Sequence, residues 1–149
     1  MTQVPQQEVR VGVACFVVHR PSDGILRILI SQRKGSHGAG TWQLPGGHME
    51  MFESFEGCAR REVLEETNLE INSIRFVTAT NNIMGDKHYV TIFMYSEVSS
   101  EEIKNLRVME PEKLQGEWKW VTLDELVTYK PLFSPLQSFI DQQDTSFLK

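Results

Sequence analysis

The sequence predicts an α/β fold, a mixed sheet with helices packed on its faces, and three observations lead there. Two β-rich runs, VRVGVACFVV at 9–18 and ILRILISQ at 25–32, flank the turn-forming RPSDG and read as a strand pair. A proline-free acidic segment with helical spacing follows at 54–67. Strand-like and helical segments then alternate irregularly, without internal repeats. The 149 residues suit one domain, 1–149, with polar tails at about 1–8 and 141–149.

Taken in order, the strand pair leads into SQRKGSHGAG, a glycine-rich stretch bearing Arg33, Lys34 and His37 that reads as a mobile, exposed loop. The short apolar segment TWQLPGG comes next. Ser54 is a good N-cap for the acidic helix, Gly57 costs it about 1 kcal/mol relative to Ala, and Phe55, Cys58, Ala59, Val63 and Leu69 are positioned to face inward. Strands are expected at 74–79 and 88–98, with NNIMGDK as the turn between them. Residues 101–106 suggest a short helical piece, and 118–121 another strand. Thr122 and Glu125 form a capping box that opens a helix over TLDELVTY, and a last helix is expected at 133–140.

Composition narrows the function classes. An apolar share of 40% is ordinary for a globule, and a formal charge of −5 argues against a nucleic acid polymer as partner, because such binding needs clustered Lys and Arg facing the phosphates. A small phosphate ligand would have to be held by local cations or by metal. The opening MTQVPQQEVR lacks the apolar core of a signal peptide, and the longest apolar-rich run, 11–18, is too short to span a bilayer, so no membrane partner and a cytoplasmic location are expected. Cys15 and Cys58 have no paired spacing and read as reduced, buried thiols.

The stretch from Gly47 to Leu69, GHMEMFESFEGCARREVLEETNL, carries the chemistry. Glu62, Glu65 and Glu66 stand at i, i+3 and i+4, which on a helix sends their carboxylates from one side about one turn apart. Three crowded anions repel unless a hard divalent cation sits between them. On REVLEE alone a solvated acidic face explains the pattern equally well. The longer pattern, G-x5-E-x7-R-E-U-x-E-E-x-N-U with U a bulky aliphatic residue, resembles the signature of the Nudix hydrolases, which cleave a nucleoside diphosphate linked to another moiety. One position departs: Asn68 stands where that signature has Gly, just past the helix end, and Asn is the second choice for a left-handed residue.

That resemblance implies an α/β/α sandwich around a central mixed sheet. It also implies a metal site made by Glu62, Glu65, Glu66 and the main-chain carbonyl of Gly46, with Glu53 and Arg61 in support and Mg²⁺, or alternatively Mn²⁺, as the ion. The segments RKGSHGAGTWQLPGGHME, KHYVTIFM and MEPEKLQGEWKWV are similar to the MutT-type nucleotide triphosphate diphosphatases, and within them to the human diphosphatase acting on thioguanine nucleotides. The implied substrate is a nucleoside triphosphate, the implied products a monophosphate and pyrophosphate, and a homodimer is a state the relatives suggest. Arg33 and Lys34 would hold phosphates, while Gln43, Leu44, Thr91, Phe133 and Leu136 would surround the base. Glu65 or Glu66 would help deprotonate the attacking water; Glu112 is a further candidate base, although Glu110 and Glu112 also read as surface carboxylates, and His48 reads equally as a satisfied polar residue beside the turn. PLFSPLQSF, with Ser134 and Pro135, departs from the human relative, so base preference does not transfer. A dinucleoside polyphosphate hydrolase is the enzymatic rival, although Tyr89 stands slightly farther past the signature than the Tyr those enzymes favour and sits in a strand pattern, and a catalytically silent nucleotide sensor is the rival of another class. The ADP-ribose enzymes carry a Pro about fifteen residues past the signature, and none occurs between Leu69 and Pro111.

Overall fold

Strand β1 (Arg10–His19) is the spine of the molecule, because its alternating side chains serve two separate cores. Val13, Cys15 and Val17 face one layer, where Cys58, Ala59 and Val63 of helix α1 (Phe55–Thr67) cover them. Phe16 and Val18 face the other, under Leu136 and Phe139 of helix α3 (Ser134–Gln142). The Phe139 ring lies 4.9 Å from those of Phe16 and Phe93, and full burial of a side chain this size contributes about 1.5–3 kcal/mol. The computed structural model describes residues 8–35 and 37–149; the expected N-terminal tail falls, up to residue 7, outside the described residues.

The sheet has seven strands and is mixed. β1 pairs antiparallel with β2 (Arg27–Arg33) through Val18–Ile28 and His19–Arg27, as the RPSDG turn suggested. Its longest partner is β6 (Lys87–Glu97), parallel to it from Arg10–Tyr89 to Val18–Glu97. Where β2 diverges, the short β4 (Gly46–His48) takes the same edge of β1, opposite Gly12 to Ala14. β3 (Trp42–Gln43) and β7 (Leu114–Val121) flank β2, and β5 (Arg75–Met84) closes the far side against β6. With α1 on one face and α2 (Leu123–Leu126) and α3 on the other, this is the expected α/β/α sandwich. Among the described residues, no helix is long and apolar enough to cross a membrane. Both cysteines are free and buried.

Several expectations are corrected. Residues 31–33 are strand, so Arg33 projects from the end of β2 rather than from a loop tip. NNIM extends β5, and the hairpin turns only at Gly85 and Asp86, because ladder pairing through Met84–Lys87 overrides the turn propensity of the asparagines. Phe55, expected inside, is 37% exposed and stacks on Phe76 at the surface: at the first helical position it lies beyond the covered stripe. The capping box of Thr122 and Glu125 is present, yet α2 stops after one turn. The C-terminal stretch is not a polar tail: α3 continues to Gln142, Leu148 is fully buried, and Phe147 packs edge-on against Phe16.

Candidate active site

Helix α1 places its acids by local rules. Ser54 Oγ accepts from the Gly57 N–H at 2.9 Å, starting the helix, and Asn68 ends it in the left-handed conformation with φ 66°. Between those caps Glu62 and Glu66 lie about 40° apart around the axis at about 100° per residue, while Glu65 lies about 60° to the other side of Glu62. That difference separates the three acids. Glu62 and Glu66 line a cavity of about 650 Å³ between the helix turn, the end of β2 and the start of α3. The Glu65 side chain is 51% exposed, lies outside the cavity wall, and is held by Arg61 at 3.3 Å.

The two inward carboxylates are within hydrogen-bonding reach of each other. Burial raises the proton affinity of Glu66 well above the ordinary carboxylate range, and the neighbouring Glu62 charge adds to it; Gly46 N–H, donating to Glu66 Oε1 at 3.3 Å, opposes the rise. Glu62 is raised by burial too, against the pull of Arg61. Gly47 makes the approach possible, since a Cβ there would fall within 2.5 Å of Glu62 Oε1.

This donor set fits a hard divalent cation. Two adjacent oxygen anions beside a glycine turn are the ligands such an ion accepts. Among the described residues no three His, Cys, Asp or Glu side chains form a ready-made cluster, so remaining ligands would come from the backbone, the substrate or water, as is usual for Mg²⁺.

Arg61 supports the pair from outside. Its Nε and Nη2 grip Glu53 at 2.7 and 2.9 Å, its Nη1 reaches Glu62 at 2.9 Å, and its Nη2 also donates to the His48 carbonyl at 3.1 Å. The bidentate grip holds the Glu53 carboxyl down at about 2 and raises the guanidinium beyond its ordinary range. Glu53 Oε1 also accepts from the Glu50 N–H at 2.8 Å, which fixes the turn before the helix.

The rest of the cavity comes from distant segments. Gly46, Arg33, Lys34, Gln43, Leu44, Thr91, Phe133 and Leu136, all singled out in the sequence, line it, as do Glu110, Glu112 and His48. Arg33 is anchored: its Nε donates to the His37 carbonyl at 2.9 Å, its Nη1 to Gln43 Oε1 at 2.6 Å, and its plane lies 4.2 Å from the Phe133 ring centroid. Phe133 is fixed by its N–H to the Trp42 carbonyl at 2.8 Å. Several wall residues escaped sequence reasoning, three of them polar and notable. Lys113 pairs with Glu110 at 3.0 Å, Lys87 stands at the β5–β6 turn, and Tyr89, read before only as a distance marker, stacks on His48 with centroids 5.4 Å apart. No local signal identifies Lys87 or Tyr89, because the parallel β1–β6 register is what brings β6 to the cavity.

Comparison with known proteins agrees with this geometry. The family model described as NUDIX domain matches residues 8–143. A Mycobacterium tuberculosis protein described as putative 8-oxo-dGTP diphosphatase 3 is 31% identical over 123 residues, covering 78% of this chain and 54% of its own length. An oxidized purine nucleoside triphosphate hydrolase of Danio rerio is 25% identical over 91 residues, covering 61% of this chain and 50% of its own. The chain thus spans about half the length of the curated relatives it matches. The crystal structure of a MutT NUDIX hydrolase from Burkholderia pseudomallei superposes with a TM-score of 0.76 at 28% identity, covering 91% of this chain and 98% of that one. With the family model spanning both the acidic helix and the strands that wall its cavity, the chain belongs to the Nudix family.

Proposed function

We propose that the protein is a metal-dependent nucleoside triphosphate diphosphatase that releases nucleoside monophosphate and pyrophosphate, with modified nucleotides among its substrates. The observation that carries this is the layout of one cavity: a desolvated carboxylate pair, Glu62 and Glu66, shares it with the cation Arg33 and with an apolar wall of Leu44, Phe133 and Leu136. Such a space takes a charged phosphate chain, with a divalent cation between it and the carboxylates, and a flat base against the apolar wall. Similarity to relatives described as acting on oxidised purine nucleotides supports the triphosphate class.

In this reading Glu62, Glu66 and the Gly46 carbonyl hold Mg²⁺ or Mn²⁺, and Glu65 joins them when Arg61 releases it. The ion, when bound, neutralises phosphate charge and lowers the pKa of water. Glu53 and Arg61 keep the turn and Glu62 in place. Arg33 and Lys34 face the phosphates, with Arg33 held so that little freedom is lost on binding. Water attacks the α-phosphorus, the bond from that phosphorus to the bridging oxygen breaks, and pyrophosphate leaves. The proton lost by the water passes to a carboxylate on the wall; Glu66 and Glu112 stand there, whereas Glu65 stands outside.

A panel of nucleoside triphosphates incubated with Mg²⁺ in ¹⁸O water tests the assignment. Monophosphate carrying the label, and loss of turnover on chelation, are expected. Label recovered only in pyrophosphate would move attack to the β-phosphorus, and binding without hydrolysis would make the protein a sensor. Tyr89, stacked on His48 in the same cavity, favours dinucleoside polyphosphates as a second class, and preferential cleavage of Ap4A in that panel would establish it.

A further inference from the structure

We propose that Gln43 reads the base: its side-chain amide, locked in one orientation by Arg33, presents N–H donors to the cavity and selects bases with a carbonyl acceptor over those with an exocyclic amine. This rests on the nucleotide reading above and adds to it a chemical class of base.

The lock follows from donor chemistry. A guanidinium has only N–H donors, so the amide atom that meets Arg33 Nη1 at 2.6 Å is the oxygen, and the amide cannot turn over without setting donor against donor. Arg33 itself cannot swing. Its Nε is tied to the His37 carbonyl at 2.9 Å and its plane rests on Phe133. Behind it, Gly38 leaves no room: a Cβ there would lie 2.8 Å from the Phe133 ring and 3.1 Å from Arg33 Nε. The Gln43 backbone is equally fixed, in β3 opposite Ser31. Among the described residues no protein acceptor meets the Gln43 nitrogen, although the residue lines the cavity beside Leu44. Two N–H groups are therefore open to a ligand acceptor that displaces solvent. A base carbonyl satisfies them, and an amine at the same place meets donors with donors.

Binding of nucleoside monophosphates by calorimetry, without metal, reads the selection apart from catalysis, and kcat/KM for the triphosphates gives a second readout. GMP and IMP are expected to bind about tenfold or more tightly than AMP, IMP showing that the carbonyl rather than the 2-amino group is read. Gln43→Glu keeps an oxygen for Arg33 but replaces the donors by an acceptor, and should lower the GMP-to-AMP ratio at least tenfold. Arg33→Met frees the amide to turn and should bring the ratio toward unity. Equal affinity of the wild type for GMP and AMP with equal kcat/KM for GTP and ATP, or an unchanged ratio in folded Gln43→Glu, overturns the proposal while leaving the diphosphatase reading intact. Neither binding nor turnover of any nucleotide overturns both.

Discussion

The two glycines of β4 separate chemistry from folding. In Gly47→Ala the added Cβ would overlap the Glu62 carboxylate, where ordinary contact begins at 3.4 Å, so the carboxylate must retreat by about 1 Å. It is the end of a flexible side chain and can do so. The Arg61–Glu62 hydrogen bond weakens, at about 1 kcal/mol, and the lower entropy of an unfolded chain with Ala offsets about 0.4–1 kcal/mol of that. Melting temperature should therefore move by no more than about 4 °C. Turnover should fall about 10²-fold, the scale of an ångström's misplacement in an active site. Gly46→Ala is the opposite case: its Cβ would overlap the Val13 carbonyl oxygen and lie 2.9 Å from Ala14 Cα, both backbone of the spine strand. β4 would have to leave β1, at a cost of about 3 kcal/mol or more. Thermal melts by circular dichroism beside steady-state hydrolysis of GTP measure both arms. Gly47→Ala retaining more than half of wild-type turnover, or melting as early as Gly46→Ala, would refute the reasoning.

Glu66→Gln and Glu62→Gln should each keep the fold by circular dichroism and cut turnover by about 10² or more, with metal-free melting unchanged or raised because a buried repulsion is relieved; unchanged turnover would remove them from the site. Glu53 has its carboxyl lowered from 4.5 to about 2, so the stability it contributes is fully present above pH 4.5 and is lost as pH falls toward 2. Glu53→Gln should accordingly be destabilised by about 1–2 kcal/mol near neutrality after allowance for solvent screening, and urea melts should show the gap closing at low pH. Phe52 holds a left-handed backbone, φ 70°, with its side chain 99% exposed, so Phe52→Gly should relieve strain without losing packing and gain about 0.5–1 kcal/mol. A lower melting temperature for that variant would show that the exposed ring contributes an interaction of its own.

What could be read from residue order, and what could not, divides by the range of the interaction. The acidic helix was legible to its last residue because its caps act over three or four positions: Ser54 on Gly57, and Asn68 on Leu64. The supporting role of Glu53 and Arg61 came from the family resemblance, and the structure shows their pairing to be local, 8 positions apart. Spacing alone could not tell that Glu65 parts from Glu62 and Glu66. Spacing sets their angles, with Glu65 and Glu66 on opposite sides of Glu62, but only the position of β4 decides which of those angles is enclosed. The wall facing the carboxylates was legible as a set of residues but not as an arrangement. Arg33 looked like a loop cation because glycines follow it, yet its pairing with Leu114 in β7 extends the strand, and the Phe133 ring, one hundred positions on, holds its guanidinium. Leu148 and Phe147 stand in an otherwise polar stretch, and Leu148 is buried in the core where Phe147 packs on Phe16 and Phe139, an arrangement that exists only once β1 and α3 are packed. The chemistry of the site is therefore written locally, in one loop and helix. Its selectivity is written across contacts between segments far apart in the chain, so substitutions at Gly38, Gln43 or Phe133 should alter which nucleotide binds while leaving the Glu62–Glu66 pair in place.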